Sequence, residues 1–317
     1  MMNPSRKPTR IFASGVSDWR VTQLPDLRGK RYLITGGNSG IGFEAARHLA
    51  GAGADLVLAC RSAARGEEAA AALRAEASGK IDVVQLDLSD LSSVRQAAAA
   101  VRQDYDKLHG LINNAGVMQT PESRTVDGFE MQMGTNHLGH FLLTGLLIDQ
   151  VEAAEGRVVV VSSLVHRLGV LDLDDLLSEK KYDPTRAYIQ SKAANIVFAL
   201  ELDRRLKAAG RKAICIACHP GYSDTRLQST GPKGFFNALY KLTNPLLAQS
   251  SSQGALPTVL AAAGAEARRG GYYGPQRLQE ARGPVGDARV AAYALDRQIA
   301  AELWRQSEAL VNFEWSL

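Results

Sequence analysis

A chain of 317 residues is long enough for one large α/β domain or about two average ones, and 45% hydrophobic with 22% charged residues is ordinary for a globular protein. That composition excludes intrinsic disorder, and three cysteines exclude a disulfide-built scaffold. A net charge of +4, from 37 basic and 33 acidic side chains with no like-charged block, points away from nucleic acid while leaving room for a small anionic ligand.

No apolar run approaches the roughly 20 residues of a membrane helix, so no transmembrane segment is expected; the longest, such as Val158 to Val161, are strand-sized. Arg6, Lys7 and Arg10 precede a stretch, Ile11 to Val16, too short and interrupted for a signal sequence, and a cytoplasmic location is the expectation. Residues 1–27, with Pro4, Pro8 and Pro25, read as an irregular N-terminal arm. From Lys30 short apolar runs alternate with alanine-rich helical stretches. Tyr32 to Thr35 predicts a strand, followed by a glycine loop and a helix through about Ala52. Asp55 to Cys60 predicts the second strand, with a helix from about Ala63 to Ala77 after it. Ile81 to Leu86 is the third, followed by a helix from about Leu91 to Gln103. Gly110 to Asn113, Arg157 to Ser163 and Ala213 to Cys218 predict the fourth, fifth and sixth.

These strands are near-continuous apolar runs, the mark of strands covered on both faces, and strand–helix–strand alternation implies right-handed crossovers. The fold class is therefore α/β: a Rossmann-type, doubly wound parallel sheet of about seven strands with helices on both faces. A single domain is expected over 28–275, with a small substrate lobe at 227–257. A C-terminal helical extension, 276–317, follows, its helix running from about Asp287 to Leu310. Cys215 and Cys218 form a Cys-x-x-Cys. On a strand, residues three apart point to opposite faces, and no second pair completes a tetrahedral site, so no metal is expected.

Thr35-Gly36-Gly37-Asn38-Ser39-Gly40-Ile41-Gly42 joins the first strand to the first helix, the context a dinucleotide site requires. Glycines allow the tight turn and the close approach of backbone to pyrophosphate, and the helix N-terminus presents N–H groups to the phosphates. Asn113-Asn114-Ala115-Gly116 closes the fourth strand and Ser162-Ser163 the fifth. Tyr188-Ile189-Gln190-Ser191-Lys192 follows, and Pro220-Gly221 with Thr225 lies after the sixth strand. In this order and frame, the five motifs resemble the short-chain dehydrogenase/reductase family, over roughly residues 28 to 275.

Tyr188 and Lys192 stand four apart on a predicted helix, so they share a face. A free tyrosine titrates near 10, and a neighbouring ammonium favours its phenolate, which suits it to pass a proton to a carbonyl oxygen or take one from an alcohol. The resemblance implies the other roles. Ser163 would hydrogen-bond the substrate oxygen, Asn136 would hold a water linked to the lysine, and Lys192 would also hold the nicotinamide ribose. Cofactor contacts would come from Gly36, Asn38, Ser39, Gly40, Ile41, Gly42, Asn114, Ala115, Gly116, Tyr188, Lys192, Pro220, Gly221 and Thr225. Asp87 and Leu88 would flank the adenine. Where a carboxylate would select NAD, the second strand ends in Cys60 followed by Arg61, a cation suited to a 2′-phosphate, with Arg65 near it; NADP(H) is the expected cofactor.

Ser163 and Tyr188 are 25 residues apart, and the inserted segment, about His166 to Thr185, resembles the retinol-dehydrogenase-like branch of the family. That resemblance implies a small apolar aldehyde, ketone or alcohol as substrate. Leu227, Phe235, Phe236, Leu239 and Tyr240 make an apolar stretch that would serve as a lid or as core, with Pro232 suited to a hinge. His137 and His140 read as packing rather than a metal pair, His166 as a loop residue near the substrate mouth or in solvent, and His219 as a backbone support for the Pro220-Gly221 turn. Family resemblance implies a homodimer or homotetramer through the helices bearing Asn136 and Tyr188, unless the C-terminal segment with Trp304, Leu310 and Phe313 covers that surface. The competing functions are a non-catalytic NADP-binding redox sensor and a specialised pigment or natural-product reductase. An extended-branch epimerase or dehydratase is disfavoured by Phe43, which stands where that loop's last glycine would be.

Overall fold

The apolar runs form six parallel strands: β1 (Arg31–Thr35), β2 (Asp55–Cys60), β3 (Ile81–Gln85), β4 (Gly110–Asn113), β5 (Arg157–Val161) and β6 (Ile214–Cys218). Two more, β7 (Tyr272–Arg277) and β8 (Arg282–Asp287), complete an eight-stranded sheet. The computed structural model describes residues 7–11, 14–222 and 249–317. Across the sheet the order is β3-β2-β1-β4-β5-β6-β7-β8, parallel as far as β7 and antiparallel in the β7–β8 hairpin. Strand order reverses between β1 and β4, and the crevice at the carboxyl ends of those two strands is where such sheets bind ligands.

Alternation along the strands divides the interior. Leu33, Val57, Leu111, Val158 and Val160 enter one buried cluster with α3 (Leu91–Asp104), α4 (Gly139–Ala153) and α5 (Pro184–Ala208). Ile34, Leu56, Leu58, Ile112 and Val159 enter the other with α1 (Gly40–Gly51), α2 (Ala63–Arg74) and α6 (Ser251–Ala263). Cys215 belongs to the first cluster and Cys218 to the second, so the Cys-x-x-Cys straddles the sheet; Cys60, Cys215 and Cys218 are free thiols. No helix of the described residues is long and apolar enough to cross a membrane.

The end of the chain differs from expectation. Asp287 closes β8 rather than opening a helix, and α7 spans Arg297–Val311, begun by Asp296, whose carboxylate accepts from the Gln298 and Ile299 amides. Gly283, Pro284 and Gly286 oppose a helix there, and an outermost strand tolerates a proline because one row of its amides is unpaired. The sheet thus continues beyond residue 275. The arm is also more ordered than its prolines suggest. Thr9–Arg10 pairs antiparallel with Arg289–Val290, and buried Trp19 bridges to Val285 while its Nε1 donates to Glu266 (3.1 Å). The Trp19 bridge covers the open edge of β8 at Val285. Part of the expected lobe, 251–257, is the first half of α6, with Ala255 and Pro257 buried. Thr225, the stretch 227–248 and residues 1–6 lie outside the described residues.

The C-terminal segment lies on α4 and α5. Phe141, Phe198, Trp304 and Trp315 form a cluster with centroid separations of 4.9–6.1 Å, and Arg205 stacks over Trp304 at 4.2 Å.

Candidate functional site

The glycine loop runs from the end of β1 into α1. Gly36 and Gly40 have φ of +67° and +55°, backbone that side-chain-bearing residues rarely adopt. A Cβ on Gly42 would stand 2.4 Å from the Gly36 carbonyl oxygen and 2.5 Å from Asn114 Nδ2. Ser39 occupies the N-cap of α1 without a side-chain hydrogen bond to it, so the first-turn amides are left for another acceptor. Bare backbone and uncapped amides together fit a pyrophosphate.

Thr35, directly before Gly36, holds the loop to the Asn114 turn. Its Oγ1 accepts from the amides of Asn114 (2.9 Å) and Ala115 (3.0 Å), and its carbonyl accepts from Asn114 Nδ2 (2.9 Å). His140 completes the arrangement: its Nδ1 lies 3.0 Å from the Asn136 carbonyl and its Nε2 2.9 Å from Thr35 Oγ1. A carbonyl only accepts, so Nδ1 carries the hydrogen and Nε2 accepts from the threonine hydroxyl. Burial pushes His140 down to about 4, which keeps that tautomer neutral. His137 goes elsewhere: its Nε2 meets Ser307 Oγ at 2.9 Å, and burial lowers it to about 3. Among the described residues, no group of three or more His, Cys, Asp or Glu is placed to hold a metal ion.

Asn136 lies where the helix widens by one residue per turn, over Gly134–Leu138. Its side chain accepts from the Val117 amide (2.7 Å) and donates to the Val117 carbonyl and to Ser191 Oγ (both 2.9 Å). Ser191 in turn donates to the Tyr188 carbonyl (2.9 Å). The turn after β4 is thereby tied to the helix that bears Tyr188.

That helix, α5, starts cleanly: Asp183 accepts from the Arg186 amide (2.7 Å), and Pro184 occupies its first turn. Lys192 Nζ stands 6.0 Å from the centre of the Tyr188 ring and donates to the Val161 carbonyl (3.1 Å). Burial lowers Lys192 to about 8. Ser162 donates to the Lys192 carbonyl (2.8 Å) and Asn195 to Val161 (3.3 Å), so the end of β5 is bolted to α5 one residue before Ser163. The inserted segment is stitched to the same helix by Gln190, which accepts from the Asp172 amide (3.0 Å) and donates to the carbonyls of Asp175 and Leu176 (both 2.9 Å). A position held 3.0 Å from Asn136 Oδ1 and 3.5 Å from Lys192 Nζ would be filled by a Cβ on Gly116. Gly116, Asn136 and Lys192 therefore converge, with Tyr188 beside them.

On the far side of the crevice, Arg61 and Arg65 are exposed just past β2. Burial pushes the Cys60 thiol up to about 11, so the position before Arg61 carries no charge at neutral pH. Asp87 accepts from the Ser89 amide and hydroxyl (2.9 and 2.6 Å) through Oδ1 alone, and Leu88 is buried beside it.

The Pro220-Gly221 turn is pressed between two neighbours. Gly221 has φ +71°, and a Cβ there would lie 2.4 Å from the Ala281 carbonyl. The Tyr222 amide donates to that same carbonyl (2.7 Å), and Gln249 Nε2 donates to Pro220 (2.5 Å). His219 is fully buried and accepts the Gly221 amide at Nδ1 (3.1 Å). His166 is not a solvent-facing loop residue: it is buried, donating from Nδ1 to the Ser163 carbonyl (2.6 Å) and accepting the Ala291 amide at Nε2 (3.3 Å). Leu278, Gln279 and Glu280, in the β7–β8 turn, have successive φ of +49°, +55° and +70°. Each such residue costs on the order of 1–3 kcal/mol, so the surrounding contacts must hold the run in place.

Sequence reasoning missed three of these participants. Thr35 carries a signal, a hydroxyl at the strand end beside the glycines, and so does His140, four residues after Asn136 on one helix. Glu280 carries none, since it reaches the site from 61 positions beyond His219.

A family profile described as short chain dehydrogenase matches residues 30–233. Human (Homo sapiens) retinol dehydrogenase 12 is 39% identical over 99% of this chain and 95% of its own. The crystal structure of an uncharacterized protein from Mycobacterium Paratuberculosis is 40% identical, with a TM-score of 0.80 over 95% of this chain and all (100%) of that one. The NADPH-dependent 3-quinuclidinone reductase of Rhodotorula Rubra is 25% identical, with a TM-score of 0.63 over 85% of this chain and 96% of that one.

Proposed function

The chain belongs to the short-chain dehydrogenase family, and from that premise we propose that it is an NADP(H)-dependent oxidoreductase interconverting a small apolar ketone or aldehyde and its alcohol. The observation that carries this reading is the convergence of Lys192, Asn136 and Gly116 beside Tyr188 at the open end of β4 and β5. Gly36, Asn38, Ser39, Gly40, Ile41 and Gly42 would hold the pyrophosphate. Asn114, Ala115, Gly116, Pro220 and Gly221 would border the nicotinamide end, and Asp87 and Leu88 the adenine. Arg61 supports the choice of NADP(H), since its guanidinium can hold a 2′-phosphate bidentately and the neighbouring Cys60 offers no carboxylate.

When bound, the nicotinamide supplies or accepts the hydride. Tyr188 gives its phenolic proton to the carbonyl oxygen in reduction and takes it back in oxidation. Ser163 holds the same oxygen by a hydrogen bond. The Lys192 ammonium stabilises the charge that develops on the phenol oxygen, and a group at about 8 is poised to return a proton near neutral pH. Asn136 keeps α5 and the β4 turn in register for these groups. The similarity to human retinol dehydrogenase 12 supports an apolar substrate. The aromatic C-terminus seals part of α4 and α5, so a homodimer or homotetramer would use other surface.

The test is oxidation of NADPH and NADH against a panel of apolar aldehydes and ketones. Turnover should favour NADPH, fall at least a hundredfold in Tyr188→Phe, and lose its cofactor preference in Arg61→Ala. Turnover that survives Tyr188→Phe removes the tyrosine from the proton path. NADPH binding without turnover of any substrate, wild-type included, would favour a redox sensor.

A further inference from the structure

Behind the two walls of the site lies a buried charged relay that the proposed chemistry does not use. His219 accepts the Gly221 amide at Nδ1, so its Nε2 carries the hydrogen and donates to Glu280 Oε2 (3.3 Å). Arg167 forms an ion pair with the same carboxylate, and both side chains are close to nine-tenths buried. Arg167 also donates from Nε to the Arg289 carbonyl (3.0 Å), and the Arg289 amide returns a hydrogen bond to Glu280 (3.2 Å). Arg167 sits in the short helix Leu164–Leu168 that begins at Ser163, next to His166, whose Nδ1 donates to the Ser163 carbonyl. Burial alone would raise the Glu280 carboxyl, yet the bonds from His219 and Arg167 carry it below its ordinary range; burial keeps His219 low and neutral.

One carboxylate therefore joins the Pro220-Gly221 turn to the Ser163 turn. It does so from a run of three left-handed residues that only such contacts would retain. A Cβ on Gly274 would lie 2.0 Å from His219 Nε2, so the imidazole is packed against β7; the strands leading into the two turns are themselves joined by the Ser162 amide, which donates to the Cys218 carbonyl (2.9 Å).

We propose that Glu280 is a positioning residue that locks the cofactor-side turn at Gly221 to the substrate-side turn at Ser163, so that the two walls of the site move as one body. The inference rests on the reading that Gly221 borders the nicotinamide. Removing the negative charge leaves Arg167 buried without its anionic partner and weakens the bond that His219 Nε2 makes across to the Ser163 side.

The test uses the full chain and Glu280→Gln, which keeps shape and removes charge. Hydrogen–deuterium exchange is followed over 163–168 and 219–222, and NADPH affinity is followed by fluorescence energy transfer from tryptophan. Both segments should exchange at least tenfold faster, with β2 and β3 unchanged, and NADPH should bind about tenfold more weakly well below the melting temperature. Arg167→Gln should loosen the same two segments from the other end, and it stands in if Glu280→Gln does not fold. Exchange confined to the 278–282 turn, or acceleration of only the segment nearest each substitution, overturns the lock. So does an unchanged NADPH affinity in folded variants. If the wild type binds neither NADPH nor NADH, the functional reading fails, while the paired exchange response still decides whether the two turns are coupled.

Discussion

Lys192 is a buried cation whose retention costs stability, and its replacement by methionine should separate that cost from its use. Burial takes it from its ordinary 10.5 to about 8, which corresponds to about 3 kcal/mol against folding at neutral pH. The sign follows from proton counting. Between about pH 8 and 10.5 this lysine holds more proton in the unfolded chain than in the folded one, so its contribution to stability rises with pH across that window and the full penalty is carried below it. Lys192→Met removes the penalty and loses the hydrogen bond to Val161, which contributes about 1 kcal/mol. The Val161 carbonyl keeps its bond from Asn195. The net expectation is a cofactor-free protein about 2 kcal/mol more stable at pH 7, a gain of about 3 °C in Tm for a chain of this size. Carbonyl reduction should fall at least a hundredfold. Calorimetry at pH 7 and 9.5 reads the stability difference: the raised thiols of Cys60, Cys215 and Cys218 cost both proteins stability over that interval, so the wild type should gain on the variant and the gap between them should narrow. A variant less stable at pH 7, or one with the wild-type pH slope, would show that Lys192 is not held against a desolvation cost.

Gly42→Ala places a methyl 2.4 Å from the Gly36 carbonyl and 2.5 Å from Asn114, one of them rigid backbone. It should weaken NADPH binding at least tenfold in a fluorescence titration, and wild-type affinity would mean that the loop has room to give. Trp304→Ala empties a site that is 2% exposed, between Phe141, Phe198, Trp315 and the Arg205 guanidinium. Urea unfolding should register a loss of about 3–5 kcal/mol, and a loss below about 1 would show that the C-terminal segment is only loosely seated.

The first half of the site was legible because its information is local. Gly36, Gly40 and Gly42 are spaced along one loop, Tyr188 and Lys192 along one helix, and the six apolar runs each announce a strand through their own side chains. The Cys-x-x-Cys was read correctly for the same reason, since strand alternation alone sends Cys215 and Cys218 to opposite faces. The inserted segment was legible as an insertion, but its anchorage by Gln190 was not, because the partners are main-chain amides and carbonyls, which have no residue code.

Tertiary structure decided the rest. Arg282–Asp287 contains two glycines and a proline and has no strand signal of its own; it is a strand because β7 supplies an antiparallel partner and Trp19 closes its outer edge. His140 became a fixed neutral tautomer only when Thr35 and the Asn136 carbonyl were brought to its two nitrogens. His166 looked like a loop residue and is buried because Ala291, 125 positions away, lies over it. Glu280 shows the division most clearly. A lone acid in a polar turn says nothing by itself, and its meaning comes from the burial of Arg167 and His219 around it. Spacing along a chain encodes periodic structure and loop chemistry, whereas the partner of a buried charge is set by which distant segments the folded sheet forces together.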